Sequence, residues 1–68
     1  MNKIEFSILE CCYKKVCSND DIMILLKITE QQFDKAVDKL ALFKYLTKSK
    51  EEIKITPAGK VYIEANKK

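Results

Sequence analysis

Apolar residues in the first segment, Ile4, Ile8, Leu9, Cys12, Tyr13 and Val16, recur at one-to-four-residue steps that place them along one side of a helix. Lys3, Glu10 and Lys14 fall on the other side. Asn2 and Glu5 have the spacing of a capping box, so a first helix is predicted from near Lys3 to about Cys17. Ser18 with Asp21 repeats the start signal. Ile22, Leu25 and Leu26 then supply a short buried face that ends at Lys27-Ile28-Thr29, giving a second helix of about two turns. Thr29 and Gln32 form a further capping pair, followed at helical spacing by Phe33, Ala36, Val37, Leu40 and Phe43.

Beyond Phe43 the period changes from helical to alternating. Tyr45-Leu46-Thr47-Lys48 and Ile53-Lys54-Ile55-Thr56 read as two strands, and the polar run Ser49-Lys50-Glu51-Glu52 between them reads as a turn. Thr56-Pro57 is an N-cap followed by proline at the first helical position. The last helix is expected to bury Ala58, Val61, Tyr62 and Ala65, and a basic ending, Lys67-Lys68, follows it.

Length sets the scale of the core. A chain of 68 residues makes one domain, residues 1–68, and buries only about 60% of the surface its unfolded form exposes. The longest apolar run, Ile22 to Leu26, is far short of the roughly 20 residues of a membrane span, and no signal peptide is visible. A soluble, cytoplasmic protein is expected. Cys11, Cys12 and Cys17 are odd in number and clustered, unlike a disulfide framework, and with no histidine they fall short of the four ligands of structural zinc. Cys12 reads as core packing, and no metal or cofactor is expected.

The order helix, helix, helix, hairpin, helix is α+β and mostly helical. The run Leu26-Lys27-Ile28-Thr29, then Phe33, Val37 and Leu40, then Phe43-Lys44-Tyr45-Leu46, resembles the winged helix-turn-helix of bacterial regulators. Residues Ile28 through Leu46 are similar to short bacterial and prophage proteins of the YjcQ-like kind. Ile55-Thr56-Pro57-Ala58-Gly59-Lys60 resembles the wing-to-helix junction of PadR- and MarR-type repressors. The resemblance implies a three-helix body, a hairpin wing, a C-terminal helix and double-stranded DNA as partner. Lys27 and Lys44 stand where such proteins often carry glycine, so both turns must be made without glycine's freedom.

Projection of the third helix leaves Gln31, Gln32, Lys35, Asp38 and Lys39 outward. Glutamine can bond adenine and lysine can reach guanine or phosphate. The expected DNA contacts are therefore Thr29, Gln31, Gln32, Lys35 and Lys39 on the helix, and Lys48, Ser49 and Lys50 on the wing. The net charge of +3 comes from lysine alone, and Glu30, Asp34 and Asp38 offset the lysines of the third helix. Affinity is then modest and salt-dependent.

Phe6, Leu42 and Ile63 fall off the main apolar stripes and, with Tyr62, are expected to form the interface of a homodimer. With no histidine and a single glycine, Gly59, the chain lacks the bases and phosphate loops of common enzymes, so a non-enzyme is expected. The competing function is a winged-helix adaptor, such as a prophage product, that binds a host protein. Acidic residues on the third helix and exposed apolar anchors support that alternative.

Overall fold

A computed structural model describes residues 3–15, 17–50 and 52–66. Their order is α1 (Lys3–Lys14), a short strand β1 (Cys17–Ser18), α2 (Asn19–Leu26), α3 (Glu30–Leu42), β2 (Leu46–Lys48), β3 (Glu52–Ile55) and α4 (Pro57–Ala65). Asn2, and with it the expected first capping box, lies outside the described residues, as do Val16, Glu51, Lys67, Lys68 and the Cys17 side chain.

One core joins α1, α2, α3, β2, β3 and α4. Ile8, Leu9 and Cys12 of α1 meet Ile22 of α2, Phe33, Ala36, Val37 and Leu40 of α3, Leu46 and Ile53 of the sheet, and Ile63 of α4. Fully burying each large aliphatic side chain contributes on the order of 1.5–3 kcal/mol. The expected stripe of α3 is therefore the wall against which α1 and the sheet pack.

β2 and β3 form the expected antiparallel hairpin, with Leu46 opposite Ile55 and Lys48 opposite Ile53. Tyr45 belongs to the preceding turn. On its other edge β3 pairs with β1, Cys17 opposite Ile53 and Ser18 opposite Glu52, giving the sheet order β1-β3-β2. The first helix thus stops at Lys14 rather than running on to Cys17. A two-residue strand is too short to show alternation, and it forms because the open edge of β3 offers unpaired backbone groups.

Both glycine-free turns have the same construction. After α2 the Lys27 amide donates to the Ile24 carbonyl and the Ile28 amide to Met23; after α3 the Lys44 amide donates to Ala41 and the Tyr45 amide to Leu40. This is the Schellman closure, and it puts Lys27 at φ 56° and Lys44 at φ 65°. A side chain in the left-handed region costs about 1–2 kcal/mol, and the half-buried Ile28 and Tyr45 that follow the two turns pack against the core.

Two buried faces differ from expectation. Leu25 is 67% exposed and α2 buries Ile22, with Leu26 half-buried; Phe43, just past the end of α3, is half exposed. On α4 the inward residues are Gly59 and Ile63, with Tyr62 half-buried, whereas Ala58, Val61 and Ala65 face solvent. Gly59 causes the rotation. A Cβ there would collide with the Tyr45 carbonyl oxygen and lie 2.7 Å from Ile55 Cγ1, so only the hydrogen face of glycine lets α4 come this close. Ile63, one turn on, is then turned inward as well.

Gly59→Ala should cost more than about 2 kcal/mol, read as a lower urea midpoint, because the nearest obstructing group, the Tyr45 carbonyl, is backbone and cannot swing aside. Lys44→Gly should do the opposite, raising stability by about 0.5–1 kcal/mol and the thermal midpoint by a few degrees, as the left-handed strain is relieved.

Candidate nucleic-acid interface

Thr29 caps α3 reciprocally. Its backbone amide donates to Gln32 Oε1 at 3.0 Å, and the Gln32 amide donates to Thr29 Oγ1 at 3.1 Å. These two expected contact residues therefore hold the helix start, with their acceptor oxygens already engaged. From this start, turning about 100° per residue, burial of Phe33, Ala36, Val37 and Leu40 sends Gln31, Lys35, Asp38 and Lys39 outward.

The charges on that outward side are segregated. Glu30, Asp34 and Asp38 recur every fourth residue and line one edge, while Lys35 and Lys39 line the other. The acidic edge faces the wing. Glu30 and Asp34 border an open groove of about 640 Å³ with Asn19, Asp20, Lys48 and Lys50. Lys48 Nζ donates to Asp38 Oδ1 at 2.5 Å, which ties β2 to α3. That hydrogen bond, with the attraction of Asp38 and Asp34, raises the Lys48 pKa above the ordinary lysine value. Asn19 Oδ1 is buried with no hydrogen-bond partner among the described residues.

The wing tip is closed by Ser49, whose hydroxyl donates to the Glu52 carbonyl. Lys50 is exposed beside it. The wing is anchored at its other end too. Thr56 Oγ1 donates to the Lys44 carbonyl at 2.6 Å, the Thr56 amide donates to the Tyr45 carbonyl at 3.0 Å, and the Gly59 amide donates to Thr56 Oγ1 at 3.2 Å. The Tyr45 ring stacks on Tyr62 at 4.8 Å. One junction thereby fixes the end of α3, the hairpin and α4 relative to one another.

The structure does not assemble the expected dimer patch. Ile63 is 2% exposed, in the core, because Gly59 turns that face of α4 inward. Phe6 and Tyr62 are half-buried and pack edge to face at 6.3 Å. Leu42 alone of the four stands open, 77% exposed.

No protein-family model and no curated protein matches the sequence. Among solved structures, a mutant form of ZitR from Lactococcus lactis superposes with a TM-score of 0.87 at 18% sequence identity, covering 96% of this chain and 49% of that one. The fold is a winged helix. The chain spans about half the length of ZitR. In the winged helix, α2 and α3 are the helix-turn-helix pair and β2–β3 is the wing. No helix among the described residues is long and apolar enough to cross a membrane.

Of the eight expected contact residues, the winged helix leaves Gln31, Lys35, Lys39 and Lys50 exposed with no side-chain bond among the described residues, while Thr29, Gln32, Lys48 and Ser49 hold local structure. The segregation of charge was not anticipated from sequence. Its signal was present in the four-residue spacing of Glu30, Asp34 and Asp38, which the sum of charges along the helix conceals.

Asp38→Asn should let the Lys48 pKa fall back toward the ordinary lysine value in an NMR titration; an unchanged titration would remove the ion pair. Because the folded-state pKa is raised, this pair's contribution to stability is whole below the unfolded lysine value and is lost as pH rises through the folded one.

Proposed function

We propose that this chain binds duplex DNA as a transcriptional regulator, with the N-terminal half of α3 in the major groove and the Ser49-Lys50 wing tip along the backbone. The observation that carries this reading is the open edge of α3, where Gln31, Lys35 and Lys39 stand exposed while the acidic edge turns toward the wing and is partly neutralised by Lys48. A helix whose charges cancelled everywhere would repel phosphate as much as attract it; one with a basic edge can present that edge to the strand.

The roles divide by chemistry. Gln31 offers the paired donor and acceptor that suit adenine. Lys35, Lys39 and Lys50 offer point charges for phosphates, which position the protein without reading sequence. Lys48 steadies the wing through Asp38. With lysine as its sole cation the protein lacks arginine's forked contact to guanine, so affinity per chain is modest. The winged-helix superposition fits this reading.

Leu42 favours a second reading, an adaptor for another protein, since it is a large apolar side chain standing open on the same side of α3. It lies about 16 Å along the rod from Gln31, away from the proposed base contact, and about one turn beyond Lys39.

Fluorescence polarisation with random duplex at low salt separates the two. Lys35→Ala and Lys39→Ala should each weaken binding to all sequences and reduce the salt slope by about one. Gln31→Ala should leave the slope intact and blur the preference obtained by site selection. Absence of binding at low salt, or slopes unmoved in both lysine variants, would favour the adaptor.

A further inference from the structure

The outward face of α2 has no role in the function proposed above. With Ile22 buried, the residues of this helix that face solvent are Asp20, Asp21, Ile24 and Leu25. Ile24 is 74% and Leu25 67% exposed, and they are neighbours on one short helix. Two adjacent aliphatic side chains held open on so small a domain mark an interaction surface rather than chance exposure. Asp20 and Asp21 at one end leave the patch without the continuous positive charge that a phosphate backbone or an anionic membrane requires.

The charge pattern selects the partner. Acid sits at the N-terminal end of the patch, in Asp20 and Asp21, and base at its C-terminal end, in exposed Lys27. A surface that reads acid, apolar, base along its length is complementary to itself when a second copy meets it antiparallel, which is the arrangement a two-fold axis through the patch imposes. Asp20 and Asp21 of each copy then face Lys27 of the other, and Ile24 and Leu25 meet at the axis. Beside Leu25 lies a shallow crevice of about 130 Å³ lined by Glu10, Cys11, Lys14 and Lys15, where an aliphatic side chain of the second copy can seat.

We infer that the α2 face is a self-association surface, pairing two copies of this chain through Ile24 and Leu25 with Asp20 and Asp21 against Lys27. It replaces the expected patch of Phe6, Leu42, Tyr62 and Ile63. Leu42, with half-exposed Phe43 beside it, and Val61 are also open, but Leu42 and Phe43 have both Asp38 and Lys39 before them and Lys44 after them, without acid at one end of the apolar centre and base at the other, and Val61 is a single side chain. The face is small beside the roughly 800 Å² per partner of a stable complex, so the pair is weak and forms at high concentration. The inference does not depend on DNA binding.

Sedimentation equilibrium of the whole chain, without DNA, from micromolar to millimolar concentration should show the mass rising from one chain to two. Ile24→Glu with Leu25→Glu should weaken self-association by about a hundredfold or more, since each change occurs twice in a pair. Both side chains are mostly exposed, so the circular dichroism spectrum should stay that of the folded protein. The charge-reversed chains, one carrying Asp20→Lys and Asp21→Lys and the other Lys27→Glu, should each remain single and pair when mixed. A single chain at every concentration, a pair indifferent to Ile24→Glu with Leu25→Glu, or no pairing in the mixture of folded charge-reversed chains would overturn the inference.

Discussion

Burial of Phe33, Ala36, Val37 and Leu40 governs the rest of this molecule. In a domain whose core is so thin, one helix supplies four of its buried residues, and α1 and the sheet close upon that wall. Since side chains turn about 100° per residue, fixing the inner stripe fixes every outer position of α3 as well. The open edge of Gln31, Lys35 and Lys39, and the acidic edge beside the wing, are therefore consequences of packing. The capping pair Thr29 and Gln32 sets where this rod begins.

A second constraint places the wing and α4. The Tyr45 carbonyl accepts from the Thr56 amide at the point where Gly59 comes too near for any Cβ. α4 is rotated until Gly59 and Ile63 face inward, Tyr62 stacks on Tyr45, and Tyr13 of α1 donates across to Glu64 at 3.0 Å. The hairpin leaves this junction at a set angle, and Lys48 meets Asp38. Local strain at Lys44 is accepted so that the chain can turn there.

Much of this was legible in the sequence because local chemistry and packing agree. Three N-caps, Ser18, Thr29 and Thr56, each accept from the amide that their spacing implies, and the α3 stripe faces inward as its period requires. Cys12 is buried as a small apolar residue would be. The failures share a cause, which is tertiary contact overriding a short pattern. α2 and α4 are so short that an apolar set can be drawn on more than one face, and nothing in the order of residues says that Gly59 must touch Tyr45. The site was read at the level of which helix carries it. Which of its residues are exposed without a partner depended on the Thr29–Gln32 cap and the Lys48–Asp38 pair, and the latter joins residues on different elements that a helical projection cannot bring together.

The central claim is that one edge of α3, left open by the core and set apart from the acidic edge that borders the wing, meets the nucleic acid. Amide chemical shifts of the ¹⁵N-labelled protein, followed while a short duplex is added at low salt, test it most directly. The account predicts the largest displacements from Gln31 to Lys39 and at Lys50, with the outward residues of α2 and α4 nearly still. Displacements confined to α2 or α4, or none at all, would contradict it.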